Sequence, residues 1–223
     1  MSWRKTSPRP AIAAINGLNN TVISGDRRAV QAVLHSLEAN FIVAHPLKVS
    51  HAFHSPLMEP VLEPFTQTAN QARFAAPHIP LISNVTGQPL EPNCILGTDY
   101  WCRHIRAPVL FSAGVQSLAA QGYDLFVEIG PTDTLAKMGK RCLPKGTGTW
   151  LPSLRHGEDD WRTLLESLAT LYVRGVDVNW ASFNRDYAYR RVALPTYPFE
   201  RKRCWLEPDE IRSWQHGGES LCE

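Results

Sequence analysis

Val49-Ser50-His51-Ala52-Phe53-His54-Ser55-Pro56-Leu57-Met58-Glu59-Pro60 joins a strand-like approach at residues 47–49 to a helix start, and it carries two histidines three residues apart. Ser55 followed by Pro56 suits an N-cap and a first helical position. Leu57, Val61, Phe65, Ala69 and Ala72 then lie on a near-helical stripe, while Pro60 and Pro64 predict a kink or irregular first turns. The residue types allow three readings of the histidine pair. A zinc ion needs a third and a fourth ligand, and nothing nearby offers a matching spacing. Two histidines can simply satisfy hydrogen bonds of their loop. A histidine at a helix start can also serve as general base, one ring nitrogen held by a carbonyl and the other turned to a nucleophile. Spacing alone leaves these open.

On the N-terminal side, residues 11–15 and 21–24 are short β-prone runs separated by Asn16-Gly17 and Asn19-Asn20, which predicts two strands joined by a turn. Gly25 ends the second run, Asp26 is placed to cap, and Val30, Val33, Leu34 and Leu37 recur at helical spacing. Strand character returns at 41–43 and 47–49, so residues 11–49 read as a small α+β unit of the β-β-α-β type.

On the C-terminal side, strands alternate with amphipathic helices: strand 80–83, helix 108–121, strand 125–129 and helix 132–141. That alternation, from residue 77 onward, predicts a parallel α/β layer, and residues 50–143 are grouped as one α/β core unit. Pro108 fits a first helical turn, Val109, Val115, Leu118 and Ala119 supply a buried face, and Gly122 fits the C′ position. Residues 144–148 read as an exposed turn or boundary, opening a unit at 144–207. Its helix starts at Asp159 and Asp160, with Leu164, Leu165, Leu168, Leu171 and Tyr172 as its face and Gly175 past its end. Residues 176–206, rich in Trp, Tyr, Phe, Pro and Arg, suit a segment that wraps over another surface. Residues 208–223 read as a frayed tail.

Composition bounds the function classes. The chain has 223 residues, 43% hydrophobic and 20% charged, enough for a folded core, and its 23 basic and 21 acidic side chains are interspersed. A net charge of +2 with no basic stripe argues against a nucleic-acid partner. The apolar run at 11–15 is too short for a signal peptide and no stretch is long enough to span a membrane. The five cysteines are widely spaced without a Cys-x-x-Cys, which favours reduced thiols, a cytoplasmic setting and no metal site. Gly-x-Gly-x-x-Gly, P-loop and His-Glu-x-x-His motifs are absent. Gly218-Glu219-Ser220 begins a Gly-x-Ser-x-Gly elbow and fails at Cys222, so no nucleophile is recognisable.

The stretch from Val49 to Pro60 resembles a signature of the malonyl/acyl transferase domains of type I polyketide synthases, a family that includes bacterial malonyl-CoA:acyl-carrier-protein transacylases. Further segments are similar in the same order: Ala13-Ala14-Ile15-Asn16-Gly17 with Val22-Ile23-Ser24-Gly25, Ile82-Ser83-Asn84-Val85-Thr86-Gly87, Tyr100-Trp101 through Arg106-Ala107-Pro108-Val109, and Val127-Glu128-Ile129-Gly130-Pro131. Leu151-Pro152-Ser153-Leu154-Arg155 and Leu194-Pro195-Thr196-Tyr197-Pro198-Phe199-Glu200-Arg201 resemble the linker that follows the transferase.

The resemblance implies an α/β fold: part of an α/β-hydrolase-like parallel sheet layer, a ferredoxin-like small subdomain at 11–49 and a C-terminal wrapping linker. It implies a ping-pong reaction in which a Ser on a Gly-His-Ser-x-Gly elbow takes the acyl group from malonyl-CoA and passes it to the phosphopantetheine thiol of an acyl carrier protein, with no bound cofactor and a ketosynthase domain as neighbour. His54 matches the family's general base, and the carbonyl that orients it falls on the backbone of His104. His51, Ala52 and Phe53 match the substrate-binding positions. His-Ala-Phe-His is the form associated with malonyl selection, Phe53 filling the room that a Ser leaves for an α-methyl; plain core filling is the alternative for Phe53. The Ser elbow, the oxyanion donors and the carboxylate-binding Arg precede, in the family, the point where this sequence starts, and residues 1–10 do not resemble it. The chain is therefore expected to be the C-terminal part of a transferase, marginally stable and inactive alone. A non-catalytic scaffold segment is the second reading, served by the aromatic residues Trp180, Phe183, Tyr187, Tyr189, Tyr197, Phe199 and Trp205.

Overall fold

Strand β1 (Ala11–Gly17) and strand β2 (Asn20–Ser24) form an antiparallel hairpin in which Ala11 faces Ser24 and Gly17 faces Asn20. The computed structural model describes residues 9–188, 190 and 192–202, so the tail at 208–223 and the aromatic residues Tyr189 and Trp205 lie outside the described residues. Contacts divide the chain into two units, Met1–Val176 and Asp177–Glu223.

After the hairpin, the Asp26 carboxylate accepts from the backbone N–H of Arg28 at 2.9 Å and of Ala29 at 3.2 Å, which starts helix α1 (Arg27–Ala39) where the sequence predicts it. The strands expected at 41–43 and 47–49 do not form. Phe41 takes a left-handed φ of 59°, its N–H donates to the Glu38 carbonyl at 3.0 Å, and the Ile42 N–H donates to the Leu37 carbonyl at 2.9 Å. This double closure of a helix end consumes the backbone groups that a ladder would need. Pro46 removes another donor, and Phe41 is left 96% exposed. The small unit is thus β-β-α among the described residues.

The quoted stretch behaves as its caps predict. The fully buried Ser55 hydroxyl donates to the Ala52 carbonyl at 2.7 Å and accepts from the Leu57 N–H at 3.3 Å, heading a 3₁₀ turn at Pro56–Met58 that runs into helix α2 (Glu59–Ala69). Helix α3 (Thr98–Arg106), which the organisation of the sequence did not reveal, lies antiparallel to α2. Thr98 Oγ1 donates to Asn70 Oδ1 at 2.7 Å at one end, Thr66 Oγ1 meets Cys102 Sγ at 3.2 Å midway, and Arg106 Nε donates to Glu59 Oε1 at 3.3 Å at the other.

The helix expected from Pro108 starts later, as α4 (Phe111–Ala120). Ala107 is extended, as the residue before a proline prefers, and Val109 adds a rung to the hairpin. The Ile15 N–H donates to the Val109 carbonyl at 2.8 Å, and the Val109 N–H donates to the Ala13 carbonyl at 2.9 Å. The expected strand at 80–83 is reduced to a single bridge, Ile82 with Pro89, around a turn closed by Gly87. Gly87 has φ +68°, and a Cβ there would stand 2.5 Å from the Ala113 Cβ, so the turn takes no side chain.

Strand β3 (Leu125–Glu128), helix α5 (Thr134–Lys140) and strand β4 (Thr149–Pro152) form a parallel crossover, with Leu125 opposite Thr149 and Glu128 opposite Pro152. The sequence predicted β3 and α5 but not β4, and the pairing runs across residues 144–148. Helix α6 (Asp160–Val173) is capped by Asp159, which accepts from the Arg162 N–H at 2.8 Å. Its most buried residues are Thr163 and Ser167, whereas Leu165 and Tyr172 of the expected apolar face are exposed. The Ser167 hydroxyl donates to the Pro152 carbonyl at 2.7 Å, so a small hydroxyl at the contact satisfies the end of β4.

Trp150 of β4 stacks on Phe126 of β3 with ring centroids 4.0 Å apart and planes 8° apart. Its ring also lies against Gly139 of α5, where an added Cβ would clash with the edge of the six-membered ring at Cζ3 and Cη2. Gly139→Ala is therefore expected to destabilise the chain by about 1–3 kcal/mol through overpacking. Chemical denaturation measures it, and an unchanged midpoint would mean that Trp150 leaves the stack without cost.

In the second unit, helix α7 (Trp180–Phe183) is capped by Asn179, which accepts from the Ser182 N–H at 2.9 Å. Tyr197 meets Phe199 edge to face, with centroids 4.9 Å apart.

Candidate active site

His54 sits at the turn between residue 52 and the 3₁₀ helix with φ 58°, in the left-handed region that histidine visits more readily than most side chains. Ser55 fixes this conformation through its paired bonds to Ala52 and Leu57. The His54 ring points toward the C-terminal end of α3, where Nδ1 lies 2.8 Å from the Ala107 carbonyl oxygen. A carbonyl only accepts, so Nδ1 carries the proton and the lone pair of the neutral ring is on Nε2. Among the described residues Nε2 has no hydrogen bond and no buried side-chain nitrogen or oxygen lacks a partner, so Nε2 is not a buried atom there. The ring is thus fixed on one nitrogen and available on the other, the arrangement a general base needs.

The orienting carbonyl differs from the one expected. It belongs to Ala107, not to His104. His104 lies in the last turn of α3, where its carbonyl follows the helix axis, whereas Ala107 caps the helix in an extended conformation that turns its carbonyl aside. The bonds of Val109 to β1 hold that carbonyl in place.

His104 contributes its side chain instead. The rings of His54 and His104 stand edge to face, centroids 6.0 Å apart and planes at 79°. Tyr100 and Trp101, one turn earlier on the same face of α3, have ring centroids 6.1 and 5.8 Å from that of His104. Burial, and secondly the charge of a protonated His54, hold the His104 pKa below the ordinary histidine value.

His51, Ala52 and Phe53 line the same loop. His51 is exposed, with Nδ1 2.9 Å from the Ser50 hydroxyl and its ring 5.8 Å from that of Phe53. Phe53 is 48% exposed in this chain. Ala52 is half-buried and gives its carbonyl to Ser55. Among the described residues no group of three or more His, Cys, Asp or Glu is placed to hold a metal ion, and no helix is long and apolar enough to cross a membrane.

A family model described as the acyl transferase domain matches residues 2–178. The chain is 38% identical over 196 residues to the spectinabilin polyketide synthase system protein NorB of Streptomyces orinoci, covering 86% of this chain and 9% of that protein. It is 40% identical over 200 residues to the mycoketide-CoA synthase of Mycobacterium tuberculosis, covering 90% of this chain and 5% of that protein. Among solved structures, the acyltransferase domain from the second module of the salinomycin polyketide synthase superposes with a TM-score of 0.76 at 36% identity, covering 86% of this chain and 45% of that domain. The malonyl-CoA:acyl carrier protein transacylase of Xanthomonas oryzae superposes with a TM-score of 0.61 at 25% identity, covering 70% of this chain and 49% of that one. The chain therefore spans a small part of its curated relatives and somewhat under half of these two solved domains.

Proposed function

This chain belongs to the acyl transferase domain family, in the group carried by type I polyketide synthases, and from that premise we propose that it supplies the general base and one wall of the acyl pocket of a malonyl-selective transferase. The substrate is malonyl-CoA and the acceptor is the phosphopantetheine thiol of an acyl carrier protein, in a synthase that also carries a ketosynthase. No bound cofactor takes part. One observation carries this reading: His54, in a left-handed turn, holds Nδ1–H on the Ala107 carbonyl at 2.8 Å and leaves Nε2 open.

In this reading Nε2 takes the proton of a serine hydroxyl as its oxygen attacks the malonyl thioester, and the Ala107 carbonyl supports the imidazolium through Nδ1–H. The thiolate of CoA leaves with that proton. A carrier thiol then gives its proton to Nε2 and attacks the acyl-serine ester, which returns the proton to the serine oxygen. The sequence has no Gly-x-Ser-x-Gly elbow, so the serine belongs to the part of the domain that this chain does not span. The hairpin with α1 is read as part of a ferredoxin-like subdomain, and β3 with β4 as part of a hydrolase-like sheet.

The 223-residue chain alone is expected to show no acylation when incubated with labelled malonyl-CoA and analysed by intact-protein mass spectrometry. Fused behind the elbow-bearing half of a related acyltransferase domain, it is expected to support acyl-serine formation and transfer. Label on the chain alone, or a fusion that folds and never acylates, would sink this assignment.

A further inference from the structure

The His54 ring has two neighbours: the Ala107 carbonyl, 2.8 Å from Nδ1, and the His104 ring, edge to face with planes at 79°. The carbonyl fixes which nitrogen carries the proton but leaves the ring free to rock about that bond. The His104 ring is the aromatic neighbour on that side, its centroid 6.0 Å from that of His54. Its own ring is backed by Tyr100 and Trp101, and the Tyr100 hydroxyl lies 3.1 Å from Ser83 Oγ on a fully buried serine, which also accepts from the Val85 N–H at 3.1 Å. A chain of contacts thus runs from a buried anchor to the base.

We propose that the side chain of His104 is a positioning residue for His54, a neutral ring that fixes the plane of the base while the Ala107 carbonyl fixes its tautomer. Neutrality matters because the transfer proposed above puts a positive charge on His54, and a second one 6.0 Å away would oppose it. The groups around His104 agree. Glu59, the carboxylate that α2 brings to this end of α3, is engaged by Arg106 at 3.3 Å. Cys102 on α3 meets Thr66 of α2. Arg103 and Arg106 of the same helical turn add positive charge, and the loop contributes His54. Among the described residues no carboxylate pairs with His104, and burial disfavours a proton on it further.

The mechanistic role rests on the acyltransferase reading; the coupling of the two rings does not, so the test is made without substrate. In the ¹⁵N-labelled full chain, long-range proton–nitrogen spectra at neutral pH report the tautomer of His54. His104→Ala is expected to move the His54 nitrogens from the Nδ1–H pattern toward averaged values, and His104→Phe, which keeps a neutral ring, to restore it. Unchanged His54 signals in His104→Ala, or a His104→Phe chain that behaves like His104→Ala, would overturn the proposal. The reciprocal variant covers the case in which His104→Ala fails to fold. His54→Gln removes the competing charge and should raise the titration midpoint of His104 by about 0.5 pH units or more. An unmoved midpoint would show that the rings are not coupled. A positive result with a fusion that never transfers malonyl would retain the coupling and discard the transferase.

Discussion

Replacing His54 by alanine in a complete transferase domain that carries this chain is expected to slow acyl transfer about 10²–10⁴-fold. Without an acceptor for its proton the serine attacks as a hydroxyl, while binding of malonyl-CoA, which the base does not hold in its ground state, should change far less. The loss belongs in kcat more than in KM. The position has φ 58°, which alanine adopts with strain, so His54→Asn serves beside it because asparagine tolerates the left-handed region. Single-turnover acylation by both variants is the measurement. A loss under about tenfold in His54→Ala, or near-normal rates in His54→Asn, would remove His54 from the proton-transfer step.

The second large effect concerns which acyl group enters. Phe53 precedes the base, is half exposed, and leans its ring on that of His51. In the proposed acyl pocket, a ring there would take up space that an α-methyl needs. Phe53→Ser is expected to raise the ratio of kcat/KM for methylmalonyl-CoA over malonyl-CoA by about 10–200-fold, the worth of one methyl in a tight pocket. Acylation rates with the two thioesters in competition give that ratio directly. If the ratio stays put while both rates fall together, Phe53 shapes the loop and does not sort substrates.

Local chemistry explains what could be read from the sequence. Asp26, Ser55 and Asp159 each cap where their side chains predict, because a cap is a contact between near neighbours and needs no tertiary partner. The hairpin followed from two β-prone runs around a turn. What escaped depends on distance. Residues 41–43 have the composition of a strand, yet the chain uses Phe41 and Ile42 to close α1. Strand β4 is four residues ending in a proline, too short to declare itself without β3 beside it. Helix α3 sets Cys102 against α2 and turns Tyr100 and His104 to another side, so it carries no plain apolar stripe. At the site, residue types and spacing left the histidine pair open, and His54 and Phe53 were singled out by their resemblance to a family signature. The partner of His54 was not, since the carbonyls of residues 104 and 107 look alike in a sequence and only the extended turn at Ala107 distinguishes them.

That last contact has a consequence for how such a site responds to mutation. The group that orients the His54 ring is a backbone oxygen, present whatever side chain occupies the position, and residue 107 is already an alanine. A systematic alanine scan would pass over it without a signal, and most exchanges at 107 would leave the acceptor where it is. The place to perturb it is elsewhere, in the rung that Val109 makes with Ala13 and Ile15. The contact that holds the His54 ring is thereby carried by the pairing of a hairpin edge, and damage to it would register as a fault in a distant strand.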